Sequence, residues 1–333
     1  MKLLVCGGAG FIGSAFIRQY LQNNPDSQIT NLDSLTTGSN LQNLNQIRNN
    51  PNYTFIKDDI RNEPVIDSLV RNADVTVNFA AESHVDRSIA NPKPFLDTNI
   101  IGTYSILEAI RKHDKKFIHV STDEVYGDAA GQDTFDENSQ INPSNPYSAT
   151  KASADHLVSS YYRTYGIDCI TTRCTNNFGP CQFPEKLIPK TIIRVLKNLK
   201  VPLYSDGSQI RSWIYVDDHV NAIGSLISKG KPGGIYNITA YEEITNKTIV
   251  EKILDILDKP HSMIEHVPDR PGHDKRYSID CSKIENETGW KPKYKFDDAL
   301  SKTVKWYLDN QSWWEPLIDE NTLHPQPWTL SWK

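Results

Sequence analysis

Asp123 and Glu124 stand side by side in Ser121-Thr-Asp-Glu-Val-Tyr-Gly127, directly after the apolar run 117–120. Adjacent carboxylates at the end of a buried strand are costly, because desolvation and mutual repulsion both disfavour ionisation. The same two effects can keep one carboxyl protonated near neutral pH, so that the pair offers one acid and one base and titrates jointly. Taken alone, the two residues read equally well as a solvated turn or a helix cap. Tyr147 and Lys151 are the second constellation. They follow Asn145-Pro146 and lie four residues apart, on one face of the helix that opens there. An ammonium beside a phenol favours tyrosinate and lowers its pKa, which makes the phenol a usable general base for a hydroxyl group. The Tyr-x-x-x-Lys spacing is common on helices. It gains meaning from Ser121-Thr122 on the preceding strand end and from a nucleotide-binding turn upstream.

That turn is Gly7-Gly8-Ala9-Gly10-Phe11-Ile12-Gly13, which follows the apolar run 2–6 and contains G-x-G-x-x-G from Gly8 to Gly13. Glycines let the backbone turn tightly and approach a pyrophosphate, which the helix N-terminus then meets with free N–H groups and a partial positive charge. Asp33 closes the next apolar run twenty residues beyond Gly13, where an acid can accept from both ribose hydroxyls. Ser34 and Leu35 follow with no Arg to hold a 2′-phosphate, which favours NAD over NADP. Asp59 and Ile60, after the third strand, are candidates to cap the adenine.

The elements that must position these groups alternate. Strands are expected at 2–6, 28–32, 53–56, 74–79, 117–120 and 169–172, and helices at 11–21, 62–72, 93–113 and 147–165. Apolar strands alternating with helices imply a parallel sheet covered on both faces, a doubly wound α/β fold of the Rossmann type. Such sheets bind ligands at the carboxyl ends of their strands, where the strand order reverses. Beyond residue 180, prolines punctuate shorter elements: helices at 188–198 and 247–257, strands at 211–216 and 234–238. The expected division is an NAD-binding Rossmann domain over 1–180, with chain returning around 211–240, and a smaller C-terminal substrate-binding lobe over 181–333.

The bulk composition sets limits. The chain has 333 residues, 38% hydrophobic and 23% charged, with a net charge of −5. This is an ordinary globular composition with no basic excess, so neither nucleic acid nor an anionic membrane is an expected partner. No apolar run reaches the roughly 18 residues that span a bilayer, and the N-terminus enters the fold with no signal peptide, so a cytoplasmic location is expected. The five cysteines are scattered, with no C-x-x-C pair. They read as buried thiols in a reducing compartment, with neither metal nor disulfide framework.

Gly7 to Gly13, Asp33, Ala80-Ala81, Thr98-Asn99, Ser121-Thr122 and Tyr147/Lys151 together resemble the extended short-chain dehydrogenase/reductase superfamily, over essentially the whole chain. Four further stretches are similar to the dTDP-glucose 4,6-dehydratase family within it: 80–88 (AAESHVDRS), 121–127, 173–189 (RCTNNFGPCQFPEKLIP) and 269–277 (DRPGHDKRY). The resemblance implies an NAD-dependent lyase that oxidises C4 of a nucleoside-diphosphate glucose, eliminates water across C5–C6 and returns the hydride to C6. It implies Tyr147 as base for the 4-hydroxyl, Thr122 as hydrogen-bond partner of that oxygen, Glu124 as base at C5 and Asp123 as acid at O6, with Lys151 tuning the phenol. It places Gly7, Gly10, Phe11, Ile12, Gly13, Asp33, Asp59, Ile60, Ala80, Ala81, Asn99, Tyr147, Lys151 and Asn177 around NAD. Ser83, Thr122, Asn176, Lys186, Leu187, Arg211, Asn246, Arg270 and His273 fall around the substrate, and a homodimer forms through the helices at 93–113 and 147–165. A packed histidine and a catalytic one are equal readings of His84, and a structural ion pair is the alternative for Arg270.

Several positions depart from the family pattern. Cys6, Thr37, Phe178, Ser212 and Thr239-Ala240 replace, in order, a threonine, a tyrosine, a tyrosine, an aspartate and a glycine pair. Ser212 leaves the orientation of Arg211 open, and Thr239-Ala240 leaves the base open, so a UDP-glucose 4,6-dehydratase is the alternative. A 4-epimerase would share the cofactor site and Tyr147/Lys151 but has no need of acids after Thr122. A decarboxylase needs a cationic site for a C6 carboxylate, which Asp123 and Glu124 would repel. An inactive NAD-binding regulator would lack one of Tyr147, Lys151 and Thr122.

Overall fold

Short runs rich in β-branched and large apolar residues become β1 (Lys2–Cys6), β2 (Gln28–Asp33), β3 (Tyr53–Lys57), β4 (Val75–Asn78), β5 (Lys116–Thr122) and β6 (Cys169–Cys174). The structure, a computed structural model, describes every residue except 130, 132, 133 and 333. β4, β5 and β6 are buried almost throughout, as strands covered on both faces must be. With β10 (Ile235–Ile238) they form one parallel sheet in the order β10-β6-β5-β4-β1-β2-β3. The order reverses between β1 and β4, and the crevice opens there.

Helices Phe11–Asn23 and Val216–Lys229 cover one face through Phe16, Ile17, Val220 and Ile223. Helices Glu63–Asn72, Thr103–His113 and Pro146–Tyr165 cover the other through Ile66, Val70, Ile106, Ile110 and Val158. The lobe is built from helices Leu187–Leu196, Asn246–Ile256 and Phe296–Asp309 around an apolar core that includes Phe178, Trp213 and Tyr307. It carries two small sheets. β7 (Asn176–Phe178), β9 (Ile210–Tyr215) and β11 (Glu243–Thr245) form one, and β8 (Val201–Tyr204) pairs in parallel with β12 (Ile264–Val267) in the other.

Three local features differ from the sequence expectation. The strand at 211–216 lies in the lobe's sheet, and the chain returns to the large sheet only through helix Val216–Lys229 and β10. The helix at 93–113 is interrupted by a π-helical stretch, Leu96–Gly102. After Thr122 the chain turns into a short 3₁₀ helix, Asp123–Tyr126, capped by Thr122, whose hydroxyl accepts from the Glu124 N–H.

Candidate active site

The glycine turn makes a cradle that only glycine permits. Gly7 has φ of +76°, and a Cβ on it would lie 2.5 Å from the Ala80 nitrogen; one on Gly13 would lie 2.3 Å from the Gly7 carbonyl oxygen. Asp33, at the end of β2, accepts from the Ala9 N–H at 2.9 Å and from the Leu35 N–H at 2.9 Å, so the acid and the turn are fixed to each other. These residues line a cleft of about 580 Å³ with Gly10, Phe11, Ile12, Ile60, Ala80 and Ala81. The cradle, the acid at the ribose position and the size of the cleft fit a dinucleotide.

Of the residues expected around NAD, Asn177 lines the cleft and Asn99 acts on it through the chain. Asn99, in the π-helical stretch, accepts from the Glu82 N–H and donates to the Glu82 carbonyl and to Thr150 Oγ1. Asn177 is engaged with His219 Nδ1 at 2.8 Å and donates to the Thr175 carbonyl at 2.9 Å. The Asp59 carboxylate is forked by Arg61 at 2.9 and 2.7 Å, at the cleft rim beside Ile60.

At the inner end of the cleft stand Thr122, Asp123, Glu124, Tyr147 and Lys151. Asn145 and Ser148 cap helix Pro146–Tyr165 reciprocally, with Pro146 in its first turn, and the Tyr147 N–H donates to Ser88 Oγ. Asp123 is 2% exposed, and its Oδ2 is buried with no hydrogen-bond partner. Burial first and the neighbouring Glu124 second raise its pKa to about 8. Glu124 is half-buried. Burial raises its pKa too, while the charges of Arg270, Arg211 and Lys186 pull it back. The two acids therefore differ in environment as an acid and a base must.

The expected lowering of the Tyr147 phenol is not found. Burial and the charge of Glu124 hold it well above its ordinary value, against a hydrogen bond to Thr122. Lys151 donates instead to the Val120 carbonyl at 2.7 Å, and burial brings its own pKa down to about 8.

A second pocket of about 160 Å³ opens from the same place, sharing Ser83, His84, Glu124, Asn176 and Lys186 with the cleft. It holds the remaining expected residues, Leu187, Arg211, Asn246, Arg270 and His273. Arg211 donates to the Asp274 carbonyl at 2.8 Å and lies 4.1 Å over the Tyr277 ring. Those contacts settle its orientation without an acid at 212, and among the described residues no carboxylate forms an ion pair with it. Arg270 does form the ion pair offered as its alternative, 2.7 Å from Asp86, whose other oxygen accepts from the Tyr204 hydroxyl. Its Nε remains buried and unpartnered, as does Asn176 Oδ1. Lys186 donates to the Ser83 carbonyl at 2.8 Å. His273 pairs with Asp269 at 2.6 Å. His84 is buried with its Nδ1 unpartnered, and burial brings its pKa down to about 4, so the ring is neutral.

Sequence reasoning missed Asp86. It lies 184 residues from Arg270 along the chain, so no local pattern could signal the pair. Tyr126 donates to Asn237 Oδ1 and accepts from Arg173 at 2.8 Å, tying the 3₁₀ turn to β6 and β10.

Fold and site together define an NAD-dependent enzyme of the extended short-chain dehydrogenase/reductase class, with a separate cationic pocket opening beside the reactive end of its cofactor cleft. The sequence profile of the GDP-mannose 4,6 dehydratase family matches residues 4–303. A dTDP-glucose 4,6-dehydratase of Escherichia coli is 45% identical, over 96% of this chain and 97% of that protein. The crystal structure of DesIV, the dTDP-glucose 4,6-dehydratase of Streptomyces venezuelae with NAD and TYD bound, superposes with a TM-score of 0.93 at 44% identity, covering 96% of this chain and 100% of that one. A UDP-glucuronic acid 4-epimerase of Bacillus cereus is more distant, at 28% identity over 93% of this chain and 99% of that one, with a TM-score of 0.87. The chain belongs to the dTDP-glucose 4,6-dehydratase family.

Proposed function

We propose that the protein converts dTDP-glucose to dTDP-4-keto-6-deoxyglucose, and that Asp123 and Glu124 perform the elimination. The observation that carries this reading is the acid pair at the inner end of the cofactor cleft, with Asp123 held protonated at neutral pH beside a carboxylate that opens to both cavities. A hydrogen on C5 of a hexose is barely acidic until C4 is a ketone. NAD in the cleft supplies the acceptor for the C4 hydride and the donor that returns it to C6. The buried Tyr147 phenol is drawn toward phenolate by the positive charge of bound NAD+, and the phenolate takes the proton of the 4-hydroxyl while Thr122 hydrogen-bonds the same oxygen. Glu124 then removes the C5 proton, and Asp123 protonates the departing 6-hydroxyl. The proton that Tyr147 gains equals the one that Asp123 gives up. Thr122 is hydrogen-bonded to both and lies between them.

The charge of Arg211 and the open Nε of Arg270 suit a diphosphate. Asn176, Lys186 and Ser83 stand between that pocket and the acids, as contacts for the hexose end. Leu187, Asn246 and His273 complete the nucleotide side. On this reading residues 1–180 with the returning strand hold NAD, and 181–333 hold the nucleotide sugar. The exposed Leu96, Ile101 and Tyr104 on one helical segment and Tyr162 and Tyr165 on the next support a homodimer. No described helix is long and apolar enough to cross a membrane, and the five cysteines are free thiols, which supports a cytoplasmic location.

The test is to incubate purified protein separately with dTDP-glucose and UDP-glucose and to follow the 4-keto-6-deoxy product by its absorbance in alkali. Product from dTDP-glucose at the higher kcat/KM is expected. A preference for UDP-glucose would overturn the choice of base, and product from neither would overturn the dehydratase reading.

A further inference from the structure

The base at C5 is not closed off from solvent on its far side. The hydroxyl oxygen of Tyr277 lies 3.4 Å from Glu124 Oε2 and 2.6 Å from Asp274 Oδ2. The other oxygen of Asp274 accepts from the Ser144 hydroxyl. Tyr277 is 2% exposed and Asp274 6%, whereas Ser144 is exposed. A continuous line of oxygens therefore runs from Glu124 through two buried side chains to the surface. The backbone is shaped to make it. Gly272, at φ +65°, has no side chain, and a Cβ there would lie 3.0 Å from the Ser144 carbonyl oxygen, so the loop carrying Asp274 can lie directly on Ser144.

The bond lengths give the line a direction. Tyr277 has a single proton, and the short contact shows that Asp274 receives it. The phenol oxygen then turns lone pairs toward Glu124, which explains the long contact there: a carboxylate and a phenol oxygen are both acceptors. Burial and the charges of Glu124 and Asp274 keep the phenol from ionising, so Tyr277 can pass a proton only by accepting one as it gives one away. Once Glu124 has taken a proton from C5, it becomes a donor facing that acceptor.

We propose that Tyr277, Asp274 and Ser144 relay protons between Glu124 and solvent. The proton leaves Glu124 Oε2 for the Tyr277 oxygen as the Tyr277 proton passes to Asp274, and from Asp274 it reaches water at Ser144. No electrons move, and the reverse passage reprotonates Glu124 from solvent. The hydrogen that C5 regains is then a solvent hydrogen and not the one removed. These residues act through Glu124 and position its proton. Two other sources of exchange adjoin Glu124. One is the water expelled from C6. The other is the Lys186 ammonium, which donates to the Ser83 carbonyl. Neither passes through Tyr277.

The inference rests on the dehydratase reading, and one experiment separates the two. The protein with NAD bound is turned over once on dTDP-glucose in D2O, and deuterium at C5 of the product is measured by mass spectrometry or NMR. Product formation tests the dehydratase reading, and its isotope content tests the relay. The parent protein is expected to place deuterium at C5 in nearly all product. Tyr277→Phe keeps the ring under Arg211 and removes only the hydroxyl; it should retain protium at C5, with the deuterium fraction falling at least about fivefold. Deuterium at the parental level in Tyr277→Phe, or protium in the parent product, would overturn the relay. If Tyr277→Phe yields no product, Asp274→Asn decides. It keeps the shape and the backbone carbonyl that holds Arg211 but cannot carry the proton, and it must lower the same fraction.

Discussion

Asp123 joins a local oddity of the sequence to the chemistry. Its raised pKa leaves it protonated at neutral pH and ionised above about 8, so turnover is expected to fall as pH rises through that value. Asp123→Asn should lower kcat by at least about a hundredfold, the scale of a lost general acid. The same shift carries a stability cost with a definite sign. A carboxyl whose folded pKa lies above its unfolded value near 4 stabilises the fold fully below that unfolded value, and the contribution is lost as pH rises towards about 8. Asn has no charge to bury. The variant should therefore melt above the parent at pH 8, by on the order of a few kcal/mol, with the gap closing toward pH 4. A variant less stable than the parent at pH 8 would show that the carboxyl is not held neutral by burial. At this scale the sequence was informative: adjacency of two acids after an apolar run signals the pair. The behaviour of Tyr147 was not legible, because it depends on the burial of the phenol and on the charge of Glu124 beside it, while the Lys151 ammonium is turned to the Val120 carbonyl.

Among the elements, the ones that alternate regularly were legible and the irregular ones were not. Strands β1 to β6 follow from apolar runs alone. The π-helical stretch Leu96–Gly102 has no such signal, because its extra residue per turn is held by a distant partner. Asn99 fastens that stretch to Glu82 and Thr150 with three hydrogen bonds. Asn99→Ala leaves the Glu82 backbone groups without those partners and should cost about 1–3 kcal/mol in chemical denaturation, with looser NAD retention as the cleft wall at 80–82 moves. Unchanged stability and NAD content would remove Asn99 from any role at the site. The short helix Val85–Ala90 is a comparable case. Its Asp86 holds Arg270, Arg87 pairs with Glu185, and Ser88 accepts from the Tyr147 N–H. Three pairings distant along the chain converge on six residues whose sequence carries the family resemblance but no mark of these partners.

The whole molecule places two cavities end to end, one for a dinucleotide and one rich in cations, with Glu124 where they meet. Arg211→Ala should raise KM for dTDP-glucose by about 10- to 100-fold, the scale of lost charge-assisted bonds, and leave NAD content per subunit unchanged. A fall in NAD content with no change in KM would assign Arg211 to the wrong cavity. The position of β9 in the lobe's own sheet was not legible, because an apolar strand carries no mark of which sheet it will join. The proposed function assigns oxidation and elimination to different side chains. It is tested most directly by mixing Glu124→Gln, with NAD bound, against dTDP-glucose and recording NADH absorbance and water elimination in one turnover. Formation of NADH with elimination slowed at least about a hundredfold is the predicted result. Loss of NADH formation equal to that of Tyr147→Phe would contradict the account.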